Sequence, residues 1–107
     1  MRTTRVNKDP TDVIDHEIDW SDILDTDTVS SASWSIAVMT ADPSAGGTTL
    51  QIGTGPYAPS IPSSQRTRVW LQHGRPGEIY RVSCAITTAS SPARTIERSI
   101  EVWVRQL

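Results

Sequence analysis

The chain has 107 residues, 10 basic and 12 acidic side chains and a net charge of −2, a size that suits one domain with one core and excludes two. Its apolar content of 36 % leans on Val, Ile and Trp, and with Gly and Pro breakpoints among many Ser and Thr this is the composition of a small β protein. One lysine and two histidines leave little equipment for catalysis, and the single Cys84 excludes an internal disulfide.

Residues 1–12 contain Arg2, Arg5 and Lys8, show no apolar period, and reach Asp9-Pro10, where proline biases its predecessor towards an extended conformation. An extended basic N-terminal arm is expected there, ordered only when docked on a neighbour, and deletion of residues 1–10 is expected to leave the domain over 13–107 folded while abolishing incorporation into particles. Ile14, His16, Ile18 and Trp20 alternate with Asp15, Glu17 and Asp19, which predicts a half-buried strand over about 13–20 with one acidic face. Ser21 is the expected cap of a single helical turn through Asp22-Ile23-Leu24, closed by Asp25-Thr26-Asp27.

Ala32, Trp34, Ile36 and Val38 alternate with small residues and predict a strand over 29–39, with Trp34 as the best core anchor. A brief strand over 48–52 lies between Gly46-Gly47 and Gly53-Thr54-Gly55-Pro56, and residues 53–65 read as an irregular, exposed loop with an edge strand near 57–61. Thr67, Val69 and Leu71 alternate with Arg66, Arg68 and Trp70 over 66–72. Tyr80, Val82, Cys84 and Ile86 then line a strand over 79–88, and Ile100, Val102 and Val104 line another over 95–105 with Trp103 and Arg105 opposite. Six or seven turn-punctuated strands predict an all-β, immunoglobulin-like antiparallel sandwich, with Tyr80 where a tyrosine corner belongs and no disulfide.

The near-neutral total hides a segregation: residues 1–8 carry +3, residues 9–65 carry −9 with no Lys or Arg, and residues 66–107 carry +4. Such blocks are either solvated strand faces or pairs formed within the domain or between subunits. The acidic middle and low pI of about 5.5 argue against nucleic acid as a partner. No apolar run approaches the ~18 residues of a spanning helix, and MRTTRVNKDP lacks the apolar stretch of a signal peptide, so no membrane partner is expected.

Chemistry finds few footholds. Cys84 falls between Val82 and Ile86 on an inward face, where a thiol is inert. His16 and His73 lack further ligands at metal spacing, and Asp22, Asp25 and Asp27 lack the glycine and terminal glutamate of a calcium loop. No catalytic residue, metal or cofactor is therefore expected. Large rings beside arginines are typical interface anchors, so Arg2, Arg5, Lys8, Arg66, Arg68, Trp70, Trp103 and Arg105 are the candidate partner-binding residues.

Arg5-Val6, Lys8-Asp9-Pro10, Val13, Asp15, Ile18-Asp19-Trp20, Leu24, Asp27-Thr28, Ser30 and Ser33-Trp34 form a pattern that continues through Val69-Trp70-Leu71, Gly74, Gly77, Tyr80, Val82, Ile86-Thr87-Thr88, Arg94 and Arg98-Ser99-Ile100. With it the chain resembles, over nearly its whole length, a family of small bacteriophage virion proteins with an immunoglobulin-like domain, the fiber-tail adaptors. It departs from the family at His73-Gly74, where a glycine pair is usual, and in a longer 40–65 segment. The resemblance implies a non-enzymatic structural protein of the virion tail, assembled in the bacterial host cytoplasm. It also implies several copies around a symmetric tail, bridging a tail nozzle or tube protein to tail fibers. A head-tail neck or capsid decoration protein shares these expectations, and a carbohydrate-binding module would need coplanar exposed aromatics, for which only Trp70, Trp103 and Tyr57 are available.

Overall fold

Alternation of apolar and polar residues sets where each strand turns its side chains, and a computed structural model of the chain describes the outcome for residues 4–42, 44 and 46–106. The elements in order are β1 (Thr4–Lys8), β2 (Ile14–Asp19), a helical turn α1 (Ser21–Leu24), β3 (Val29–Thr40), β4 (Gln51–Ile52), β5 (Ser60–Ser63), β6 (Arg66–Gln72), β7 (Ile79–Thr88) and β8 (Thr95–Val104). They form two four-stranded sheets packed together: β1-β8-β7-β3, and β2-β6-β4 with β5 also paired to β6. The predicted strands stand within a few residues of their expected bounds.

The slab is filled by the predicted inward rows, Val69 and Leu71 against Tyr80, Val82, Ile100, Val102 and Val104, all buried. A second cluster of Ile18, Trp20, Leu24, Cys84 and Ile86 closes one end. Here Trp20 Nε1 donates to Thr67 Oγ1 at 3.0 Å, and the Cys84 thiol donates to the same oxygen at 3.6 Å. A buried indole N–H left without an acceptor would be unfavourable, so Thr67 is the polar residue this face needs. At the other end the Tyr80 hydroxyl donates to Glu78 Oε1 and accepts from Thr49 Oγ1 and the Arg75 backbone N–H. Glu78 Oε2 in turn accepts from the Asp42 N–H at 2.9 Å, which ties the 40–50 segment to the β6–β7 turn.

Three expectations are corrected. The basic arm is extended, but over residues 4–8 it is not free: β1 pairs in parallel with β8 from Thr4↔Ile100 to Lys8↔Val104 and completes a sheet of the domain. Lys8 is fully buried, its ammonium donating to the carbonyls of Asp9 and His73 at 2.9 and 2.6 Å, and burial pulls its pKa down against the raising pull of Asp12 and Asp9. Trp20, not Trp34, is the fully buried anchor: at the entry to α1 it packs with Leu24, Cys84 and Ile86, whereas Trp34 on the edge strand β3 is half-buried and its Nε1 has no partner among the described residues. Helix α1 is entered from Trp20 without a side-chain cap, and Ser21 instead donates its backbone N–H to Asp19 Oδ1 at 2.9 Å.

The departure at His73 is legible in the backbone. His73 has φ 64° and Gly74 φ 108°, and a Cβ on Gly74 would come within 2.8 Å of Val104 Cγ2. The turn therefore requires glycine at 74 and tolerates at 73 a conformation that glycine adopts more readily.

Candidate partner-binding faces

Strand parity sends Trp70 and Trp103 outward, on opposite faces of the sandwich: their neighbours Val69, Leu71, Val102 and Val104 are all buried. No bulge inverts either strand's pairing, in β6 with β2 or β8 with β7.

On the first sheet, the parallel register sets Arg5 opposite Glu101 and Asn7 opposite Trp103. The Arg5 guanidinium lies 3.7 Å from the Trp103 ring centroid, and that of Arg105 lies 5.4 Å from it. Trp103 Nε1 donates to Glu101 Oε1 at 3.1 Å, which fixes the ring in its plane. Exposed Arg81, across from Glu101 on β7, adds a third cation. Arg81 was not singled out from the sequence, although its parity between Tyr80 and Val82 already turns it outward. A shallow groove lined by Pro76, Ile79, Trp103 and Arg105 borders this patch.

On the second sheet, the antiparallel register sets Asp15, Glu17 and Asp19 opposite Trp70, Arg68 and Arg66. Arg68 donates from Nε and Nη2 to Glu17 Oε2 and lies 3.5 Å from Asp15, while Arg66 lies 3.7 Å from both Glu17 and Asp19. The hydrogen bond to Glu17 is the main reason the Arg68 pKa is raised. Trp70 meets Tyr57 edge-on, with ring centroids 5.1 Å apart and planes at 64°. Gly53 makes this contact feasible: its N–H donates to the Trp70 carbonyl at 2.9 Å, and a Cβ there would press within 3.2 Å of Trp70 Cβ.

Much of the charge segregation closes inside the domain. Besides the β2–β6 ladder, Arg98 pairs with Asp22 at 2.9 Å and Arg94 with Asp27 at 3.2 Å, while Arg98 also lies 5.1 Å from the Trp20 ring. Burial pushes the Asp27 carboxyl up, but hydrogen bonds from Ser90, the Thr28 N–H, Arg94 and Thr88 outweigh it and bring the pKa down to about 2. Two of the three turn carboxylates thus already have an arginine as countercharge. Among the described residues, the ion pairs leave out Arg5, Arg81 and Arg105.

The eight candidate residues are therefore sorted. Arg5, Trp103 and Arg105 come together, Arg66, Arg68 and Trp70 share the opposite face, and Arg2 lies outside the described residues. Lys8 is withdrawn from the set, because a fully buried ammonium has no surface to offer a partner. The carbohydrate reading loses its platform, since Trp70 and Trp103 face away from each other and Tyr57 is not coplanar with Trp70.

His16 edges the second sheet in a groove with Thr4, Asp19, Asp22 and Arg98, and burial lowers its pKa against the pull of Asp15 and Glu17. Among the described residues no three His, Cys, Asp or Glu side chains converge as a metal site. Burial also pushes the Cys84 thiol up to about 11, which keeps it protonated and unreactive at neutral pH.

No curated protein and no solved structure matches the chain. The family model described as podophage GP4 fiber-tail adaptor protein gp77 matches residues 8–103, which takes in β2 to β7, β8 up to Trp103 and the last residue of β1, and leaves Arg5 and Arg105 outside. The chain accordingly belongs to the podophage fiber-tail adaptor family, structural and non-enzymatic components of the phage tail that bind tail and tail-fiber proteins.

Proposed function

We propose that this adaptor holds its two kinds of partner on its two opposite sheet faces. The observation that carries the reading is Trp103 with the guanidiniums of Arg5 and Arg105 beside it and Arg81 nearby, none of the three in an ion pair with a carboxylate among the described residues. A half-buried aromatic ring with cations close beside it offers an apolar contact with a basic rim, which suits an acidic partner surface. The opposite face offers Trp70 and Tyr57 beside a ladder in which both guanidiniums already have carboxylate partners, and it suits a partner less acidic than the first. Several copies around a symmetric tail, seated on a nozzle or tube protein, complete the reading.

We also read the sandwich as immunoglobulin-like, with 13–107 as its main domain and β1 as an added edge strand. What supports this is the grouping of β3, β7 and β8 in one sheet and of β2, β6 and β5 in the other. Further support comes from Trp34 on the third strand and from a tyrosine at the start of β7 whose hydroxyl accepts from the backbone five residues upstream, at Arg75.

The test measures fiber binding and tail-protein binding separately for Trp103→Ala and Trp70→Ala. Each variant is expected to weaken one partner by roughly 30-fold or more while sparing the other. Loss of both partners from a single folded variant, or of neither from both, overturns the two-face reading.

A further inference from the structure

β3 is the last strand of its sheet and runs 12 residues, Val29–Thr40, with neither charge nor proline. The other edges are guarded in ways that natural sheets use against unwanted pairing. β1 is short and carries Arg5, β2 presents three carboxylates, and β5 is four residues long with Pro62 inside it. On β3 the guards stand only at the ends: register shifts between Val29 and Ser31 and between Val38 and Thr40, and the Val29 N–H already bonded to the Ser64 carbonyl at 2.8 Å. Between them the strand is regular, and its inward row of Ala32, Trp34, Ile36 and Val38 is poorly covered, Val38 remaining 50 % exposed.

We infer that the open edge of β3 pairs with β3 of a second copy of this chain, antiparallel, about a two-fold axis through Ser35. In that register Ala32 faces the second copy's Val38, Trp34 faces its Ile36, and both relations repeat by symmetry. Small meets large and every poorly covered apolar residue gains an apolar neighbour. A shift by one pair of residues in either direction breaks the set, leaving Val38 or Ala32 without an apolar partner. The outward row pairs Ser33 with Ala37 and Ser35 with itself, so no like charges meet across the axis, as they would across β2. The edge peptide groups gain hydrogen bonds, and the two sheets become continuous. This contact uses neither outer face, so its failure leaves the two-face reading standing.

The register supplies the test. Directly opposed residues in an antiparallel pair have Cβ atoms about 4.5–5.5 Å apart, near enough for a disulfide after slight adjustment. Ser35→Cys is therefore expected to give a covalent dimer on mild oxidation. Ser33→Cys alone, facing Ala37, is expected to give little, and the double variant Ser33→Cys with Ala37→Cys to restore it. Cys84 is buried and does not compete. The unmodified chain is expected to sediment as a dimer and Val38→Lys, at an already half-exposed position, as a folded monomer. A chain that stays monomeric up to about 1 mM, or Ser33→Cys cross-linking as readily as Ser35→Cys, overturns the inference.

Discussion

At the residue scale, stability depends on a few polar atoms that the apolar core cannot do without. Thr67 Oγ1 is the acceptor for both the buried Trp20 indole and the Cys84 thiol. Thr67→Val keeps the shape and removes the acceptor, and it is expected to destabilise the fold by about 1–3 kcal/mol in urea denaturation; an unchanged midpoint would mean that the indole does not need this partner. Asp27 contributes to the acid limb alongside Asp19 and Asp22, whose carboxyls are also held below their ordinary pKa by hydrogen bonds. Its folded pKa of about 2 lies below the ordinary 3.8, so the unfolded chain binds the proton first as pH falls. The stability Asp27 lends is complete above 3.8 and is lost as pH drops from 3.8 towards 2. Asp27→Asn is expected to lower the melting temperature at neutral pH and to flatten the melting curve's pH dependence in that window. An acid limb as steep as that of the unsubstituted chain would assign the effect elsewhere.

At the element scale, β1 decides how the N-terminus behaves. Removing residues 1–8 strips the edge of β8 and takes away the two carbonyl contacts made by the Lys8 ammonium. The truncated chain is expected to lose about 2–3 kcal/mol in urea denaturation, and an unchanged midpoint would return the segment to the status of a free arm. The strands over 66–72, 79–88 and 95–104 were legible in the sequence because each keeps one apolar row, and parity alone placed Trp70 and Trp103 outside. β1 was not legible: only Val6 marks its inward row, its partner is 96 positions away at Val102, and a buried lysine runs against composition. Trp20 and Trp34 show the same limit: one follows an edge strand and the other lies on one, and what separates a buried ring from a half-covered one is the α1 turn, whose Leu24 packs with Trp20, Cys84 and Ile86. The site was half legible. Parity found the rings and their arginines, but the sorting of matched from unmatched cations needed the β2–β6 register and the Arg94 and Arg98 pairs, which join segments far apart in the chain.

At the scale of the whole molecule, a slab with extents of 48 × 30 × 19 Å keeps its two outer faces a short, fixed distance apart. That geometry suits a protein whose family joins a fiber to a tail: each sheet carries its own ring, and one buried core lies between them, with Trp20 towards one end and Tyr80 towards the other. The most direct test of this account is photo-cross-linking in assembled particles from a photoreactive residue placed at position 103 and, separately, at position 70. The account predicts that the two positions capture different proteins, one a tail component and the other a fiber component. Capture of the same protein from both positions would contradict it.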